Sequence, residues 1–494
     1  MRLTLPDELV AISKAITKAG GSAVVVGGAV RDALLQIEVK DYDIEVYGIE
    51  TIERLEAILA TFGRVNLVGK SFGILKLHTD EREYDFALPR KEKKVAAGHR
   101  GFAVEVESGL TFKEAARRRD FTINAMGYEI ERGILLDPYE GKSDLEQKRL
   151  RHVDAKTFVE DPLRLYRGVQ FAARFQLHVD SSTAALCQSM VAQGMLEELP
   201  KERVFEEWKK LLLKAPNPSV GFELMREWGV IARHFLELHA LIGTPQDPTW
   251  HPEGDVWVHT LMSIDAMASI LRVQGSGLRG KKKLKLLFAV LCHDLGKPIT
   301  TTIELENGEI IKWKDFQNKS ISKEMHTKTI HPIKRIRAIG HEQAGIEPTQ
   351  NFIYRLTNEH DFIEGIVPLV EHHLKPSLFY AQGAKAGAIR RLATKVNIEE
   401  LVMVAKADFL GRTTPEAQRG VYEAGEWLLA KAKALDVAKE PMKPWVQGRD
   451  LIALGLQPSP AFKTILDTLY EGQMEGKFRS KEEALAYCQS HYLL

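Results

Sequence analysis

The chain has 494 residues, and its 68 Lys+Arg against 67 Asp+Glu leave a formal charge of +1. That length predicts about three domains of ordinary size, and the balanced charge excludes a globally basic nucleic-acid scaffold, so any polyanion has to meet a local basic surface. Three widely spaced cysteines, Cys187, Cys292 and Cys488, form no CxxC pair, which excludes a disulfide framework and a thiolate zinc site.

The first residues show no signal-peptide pattern and no run is long enough to span a bilayer, so a cytoplasmic protein without a membrane partner is expected. The apolar triplet Val24-Val25-Val26 reads as a buried strand. Gly27-Gly28 then lets the backbone turn tightly and approach a phosphate, and Arg31 lies just inside the following helix, where its charge can meet a triphosphate. Nine residues on, strand alternation puts Asp41, Asp43 and Glu45 on one face and Tyr42, Ile44 and Val46 on the other. Two carboxylates at that spacing suit Mg2+, which takes one or two protein carboxylates and fills its shell with water and phosphate oxygens. Either half alone is equally a glycine turn or a solvated edge strand; the tandem points to nucleotidyl transfer.

Residues 73–78 and 83–88 flank the charged turn 79–82 and predict a hairpin. The segment 90–116 is long and charged. Within it lies the stretch Gly98-His99-Arg100-Gly101-Phe102. Of the run Arg117-Arg118-Arg119-Asp120, three consecutive arginines cannot all face one way, so at least one can turn inward to meet phosphate oxygens while Asp120 orients it.

Beyond residue 150 the periodicity is almost wholly helical. In Glu160-Asp161-Pro162-Leu163-Arg164, Asp161 is placed as an N-cap and Pro162 at the first helical position. Asp161, Arg164, Arg167 and Phe171 then share one face. A carboxylate beside a guanidinium accepts from an exocyclic amine and donates to the adjacent ring nitrogen, a pattern that cytosine and adenine satisfy and uracil and guanine do not. An N-cap with a helix-face ion pair is the plainer reading of that segment alone.

GGAVRD with DYDIEVYG, RRRDFTINAM, Leu136-Asp137-Pro138-Tyr139, EDPLRLYRGVQFAARF and Lys201-Glu202-Arg203-Val204 occur in order over the first half. They resemble the successive motifs of the class II tRNA nucleotidyltransferase (CCA-adding enzyme) and bacterial poly(A) polymerase family. The resemblance implies an α+β fold: a polymerase-β-like head on a small mixed β-sheet, followed by all-α neck, HD and tail domains. The expected divisions are residues 1–150, 151–240, 241–425 and 426–494. It also implies that Asp41 and Asp43 bind the catalytic Mg2+. By the same resemblance Gly28, Arg31 and one of Arg118 and Arg119 contact the triphosphate, and Asp161 and Arg164, with Arg167 beside them, select the base. The partners implied are the tRNA 3′ end, CTP and ATP. Long charged segments such as 90–116 tend to serve the switch to ATP, which speaks against addition of CC alone.

In the helical half, His259, the run Cys292-His293-Asp294-Leu295-Gly296-Lys297, then His341, His372-His373 and Asp408 form a scattered set of nitrogen and oxygen donors, enough to hold a transition metal that activates water. A lone histidine here is more often a core or surface residue. The HDLGK run with an upstream His and a downstream Asp resembles the HD phosphohydrolase superfamily. That resemblance implies a first metal (Mn2+, Ni2+, Co2+, Fe2+ or Zn2+) on His259, His293, Asp294 and Asp408, and a second metal or a phosphate on His341 and His373. Residues 448–458 resemble the closing module of nucleotidyltransferases with such a domain, departing at Ser459 from the more usual glycine. Competing with the CCA-adding reading are addition of A only or CC only, a poly(A) polymerase, whose basic C-terminal extension is missing, and an HD hydrolase with a nucleotide-binding head.

Overall fold

The computed structural model describes residues 3–68, 73–94, 102–106, 109–273, 277–316 and 332–493. Contacts divide the chain into two compact units, Met1–Ala215 with Val220–Arg233, and Pro216–Ser219 with His234–Leu494.

The first unit begins with α1 (Asp7–Lys18), β1 (Ser22–Val26), α2 (Gly28–Leu34), β2 (Tyr42–Tyr47), α3 (Ile52–Leu59), β3 (Arg64–Val68), β4 (Ile74–His78) and β5 (Glu83–Ala87). After these come β6 (Arg90–Lys94), β7 (Phe102–Val106), α4 (Phe112–Ala116), β8 (Gly127–Glu129) and β9 (Ile134–Leu136). Seven strands form one mixed sheet in the order β3-β4-β5-β2-β1-β8-β9. The expected hairpin is β4–β5, closed by the Thr79 amide on the Arg82 carbonyl. Burial of Ile44 and Val46, with Leu9, Ile12 and Ile16 of α1 and Leu55 and Leu59 of α3, builds the core. Alternation along β2 then turns Asp43 and Glu45 away from Ile44 and Val46. β2 and β5 are parallel and register Asp43 with Asp85. The charged segment after residue 90 forms an antiparallel ribbon, β6 with β7, while residues 98–101 lie outside the described residues.

Past residue 140 this unit is mostly helical: α5 (Gly141–Glu146), α6 (Ala155–Phe158), α7 (Leu163–Phe175), α8 (Ser181–Ala192), α9 (Lys201–Lys214) and α10 (Ser219–Glu227). Asp154 and Asp180 cap α6 and α8 through hydrogen bonds to amides of the first turn. The start of α7 falls one residue later than Asp161-Pro162 predicts. Its first residue is Leu163, whose amide donates to Asp161 Oδ1 at 3.2 Å.

In the second unit four helices, Val256–Val273, Gly280–Cys292, His360–His372 and Ile398–Leu410, pack around buried Ile264, Met267, Leu286, Phe288, Ile366 and Leu401. The first of them, 18 residues long, is long and apolar enough to cross a membrane by length and composition, contrary to the sequence reading. Its residues from Val256 to Leu271 are mostly buried within this unit, as expected of a core helix that is apolar nearly all round. A three-stranded sheet, Thr302–Leu305, Ile310–Lys312 and Ile333–Arg337, interrupts the helical pattern. Strands of three to five residues are too short to stand out against helical periodicity, although Asn307-Gly308, with Gly308 at φ +84°, is a hairpin signal. The last helices, Gly448–Ala453, Ala461–Glu475 and Lys481–Tyr492, close on Leu451, Leu469 and Cys488. All three cysteines are free and buried.

Candidate functional sites

A cleft of about 600 Å3 opens in the first unit, walled by the end of β1, the face of β2, the Arg118–Arg119 pair, α7 and α9. Nine Arg and Lys side chains line it against five carboxylates, so it is locally basic in a chain that is globally neutral. This is the local surface a polyanion needs.

Gly27, rather than Gly28, is the residue the turn requires. Its φ is +68°, and a Cβ there would lie 2.8 Å from Arg119 Nη1. At Gly28 a Cβ would make only an ordinary contact, 3.5 Å from Arg31 Nη2. Arg31 lines the cleft, but its guanidinium is anchored. Nη1 donates to Asn124 Oδ1 at 2.6 Å, Nε and Nη2 to Asp32 Oδ1 at 2.8 and 2.7 Å, and the plane lies over Phe175. Burial lowers its pKa below the usual arginine value despite Asp32.

Asp43 and Asp85 both line the cleft; Asp41 does not, and lies exposed just before β2. Burial, with the like charges of Asp85, Asp41 and Glu45, holds the Asp43 carboxyl above its ordinary value even though Arg119 opposes it. Asp85 Oδ1 is buried without a hydrogen bond, Lys76 Nζ lying 3.4 Å away. Adjacent carboxylates, one of them with a buried oxygen that makes no hydrogen bond, form a donor set that a divalent cation satisfies. Asp43 and Asp85 could hold Mg2+, with Asp41 close enough to add its charge.

The arginine run splits. Arg117 turns out to Asp154, at 2.7 Å. Arg118 and Arg119 turn in, their Nη2 atoms 3.4 and 2.8 Å from Glu45 Oε1. Glu45 is thus a buried counter-ion: burial raises its pKa, but the two guanidinia and the Tyr47 hydroxyl outweigh that and leave it below the ordinary value. Asp120 does not orient Arg118 or Arg119, as the run suggested. It receives Arg167 Nε at 2.7 Å, Asn124 Nδ2 at 3.0 Å and the Phe121 amide at 2.8 Å.

Arg164, Arg167 and Phe171 of α7 line the cleft, together with Asp161 just before that helix. The Arg164 guanidinium is held by two main-chain carbonyls, Thr157 at 2.7 Å and Arg118 at 2.6 Å, and among the described residues the direct Asp161–Arg164 hydrogen bond is that of the Arg164 amide to the Asp161 carbonyl, at 3.0 Å, not one between side chains. Arg203 Nη2 lies 3.4 Å from Asp161 Oδ2. A guanidinium fixed by carbonyls and a carboxylate fixed by an amide present their remaining donors and acceptors to the cleft in set positions. Sequence reasoning left out Asp85, and it missed Arg174, Lys210 and Lys214 on the same wall. Arg203 was noted only within a motif.

The second unit gathers the scattered imidazoles. His259 comes from the first core helix, His293 and His373 follow the C-terminal ends of two helices, His341 opens a short one, and Asp408 lies in the last turn of another. His259 Nε2 is 3.1 Å from Asp408 Oδ1 and 3.4 Å from His293 Nε2; His341 Nε2 is 3.3 Å from both His373 Nε2 and Asp294 Oδ1. His372, its neighbour in sequence, is buried outside this cluster.

The Nδ1 atoms of His293, His341 and His373 lie 2.6 to 2.7 Å from the carbonyls of Val290, Ala338 and Val370. A carbonyl only accepts, so each Nδ1 carries the proton, and in the neutral ring Nε2 offers a lone pair. His373 is neutral at pH 7, burial and the neighbouring imidazoles lowering its pKa to about 3. Both oxygens of Asp294 are buried without a hydrogen bond, while Lys297 Nζ lies 2.7 Å from Oδ2. Converging lone pairs around a buried carboxylate fit one or two divalent metals, and the negative ends of the helices beneath favour a cation. Glu253 was not foreseen: its Oε1 receives His251 and His259, each through Nδ1 at 2.8 Å, so it orients His259. A His-x-Glu run in a loop is too common to signal this.

Residues 23–151 match the family described as the poly A polymerase head domain, and residues 176–242 the family described as the probable RNA and SrmB-binding site of polymerase A. Among solved structures, a CCA-adding enzyme in its apo form II is 19% identical, with 98% of this chain and 96% of that one covered and a TM-score of 0.63. The Bacillus stearothermophilus CCA-adding enzyme in complex with CTP is 19% identical over 99% and 98%, at 0.62. The Thermotoga maritima CCA-adding enzyme complexed with tRNA is 19% identical over 98% and 96%, at 0.58.

Proposed function

We propose that the chain is a class II nucleotidyltransferase of the CCA-adding enzyme and poly(A) polymerase kind, as the head-domain match over residues 23–151 and the CCA-adding enzyme fold support, and that its head adds or repairs the 3′-terminal CCA of tRNA from CTP and ATP. The observation that carries this reading is one cleft with Asp43 and Asp85 on its β-sheet wall and the Asp161–Arg164 pair at the start of α7. Structural neighbours bearing CTP, ATP and tRNA support the choice of substrates. Asp43 and Asp85 would hold a Mg2+, which would polarise the reacting phosphate and lower the pKa of the attacking hydroxyl. The chain's own residues do the rest. Arg119 and its neighbours neutralise the triphosphate. Asp161 accepts from the exocyclic amine of cytosine or adenine, and Arg164 donates to the adjacent ring nitrogen. The RNA 3′-hydroxyl gives its proton to water as its oxygen bonds to the α-phosphorus, the bond from that phosphorus to the α–β bridging oxygen breaks, and pyrophosphate carries the electron pair away. Incorporation of each NTP onto tRNAs ending at the discriminator base, at C and at CC tests the reading. Two C, one A and arrest are expected. A alone on the CC end, or C alone, means a split-function enzyme, long A tails a poly(A) polymerase, and no incorporation overturns transfer.

The histidine–aspartate cluster favours a second activity, a metal-dependent HD-type phosphodiesterase or phosphatase acting on 2′,3′-cyclic or terminal phosphates. Its support is the set of Nε2 lone pairs closing on Asp294 and Asp408. Hydrolysis of those phosphates with Mn2+, Ni2+ or Co2+ is expected; none with any of them removes this activity.

A further inference from the structure

Trp250 has no part in either reading so far, yet it is the most exposed large aromatic side chain among the described residues, with 62% of its surface open. It lines the 230 Å3 cavity that contains Asp294, His341, His373 and Asp408. Its loop is tethered. The Trp250 amide donates to the Asp247 carbonyl at 3.1 Å, Asp247 Oδ1 accepts from the Thr249 amide at 3.0 Å, and the next side chain, His251, is bound to Glu253. An indole held in water beside a charged cavity buries little apolar surface, so its place is not explained by packing.

Three cations, Lys297, Arg337 and Arg412, share the wall with the carboxylates of Asp247, Asp294 and Asp408. Lys297 gives one N–H to Gln246 Oε1 at 2.6 Å and approaches Asp294, which leaves a donor for a ligand. Arg412 donates to Asp408 through Nη2, while its Nε is buried without a partner. Arg337 lines the same cavity with 44% of its side chain exposed. Anion-binding groups beside an exposed indole are the two halves of a nucleotide subsite, since any base presents a flat face to an aromatic ring.

Resting on the hydrolase reading, we propose that Trp250 is a stacking platform that makes this site selective for nucleoside phosphates: the phosphate lies among Lys297, Arg337 and Arg412, and the base on the indole. The probe is 2-aminopurine riboside carrying a non-cleavable 3′-phosphonate, whose fluorescence is quenched by stacking; the same phosphonate without a base competes for the site. In the full-length chain, Trp250→Ala is expected to weaken the base-bearing probe about tenfold or more, the size of one base–aromatic stack. Trp250→Phe should restore most of that, and the base-free competitor should bind both within about twofold. If Trp250→Ala binds both ligands like the parent chain, the platform is overturned and the hydrolase reading stands. If the parent chain binds neither and hydrolyses nothing, both fall. An oligoribonucleotide bearing the same end binds more tightly if the ligand is an RNA terminus, and no more tightly if it is a free nucleotide.

Discussion

On the proposed readings the two sites meet the same chemical problem, a phosphate, with different electrostatics. In the head cleft positive charge dominates, and each guanidinium is held by a counter-ion or a carbonyl: Arg119 by Glu45, Arg167 by Asp120, Arg164 by two peptide oxygens. In the second unit the central groups are lone pairs, three of whose imidazoles are fixed by main-chain carbonyls. The first arrangement suits a triphosphate that brings much of its own metal shell. The second suits metals that stay with the protein and take the substrate as an added ligand. Positive charge oriented by carboxylates is legible as Arg and Asp in one motif, whereas lone-pair convergence needs the tertiary fold.

Several substitutions sharpen this contrast. The largest effect is expected of Asp43→Ala, which removes a carboxylate from the metal-binding wall and should lower nucleotide incorporation on the order of 10³-fold, about 4 kcal/mol, in single-turnover assays. Next, Arg164→Ala should leave triphosphate affinity nearly intact but reduce discrimination of CTP and ATP over UTP and GTP by roughly tenfold. Competition among the four nucleotides measures it, and unchanged selectivity would remove the base-reading role.

These two residues were legible because the motifs that hold them are contiguous. A Gly pair, an alternating acidic strand and an Asp-Pro helix start each carry their meaning within a few residues. Asp85 enters the site only through the parallel register of β2 with β5, which no local pattern announces. Lys210 and Lys214 lie on a helix whose inward face is defined by what packs against it, and the short strands around Ile303 were read as helix because their alternation is too brief. The helix Val256–Val273 shows the converse: its apolar run is a core signal with one residue of the proposed second site, His259, inside it.

A smaller effect tests the turn. Gly27→Ala forces a side chain into φ +68° and against Arg119, and should lower stability by about 1–3 kcal/mol, seen as an earlier denaturation midpoint of the head. Smallest is the acid response. Glu45 and Asp120 are buried, and their cationic partners outweigh the burial penalty and depress both pKa values. Their contribution is therefore complete above the ordinary carboxylate range and is lost as pH falls below about 4.5. Glu45→Gln should flatten that loss in denaturation curves taken from pH 6 downward.

The central claim is that the two sites are separate and built on different metal chemistry. Its most direct test measures incorporation on tRNA and phosphoester hydrolysis side by side in Asp43→Ala and in Asp294→Asn. The account predicts that the first loses incorporation and keeps hydrolysis, and that the second does the reverse. Loss of both activities in either correctly folded variant would contradict it.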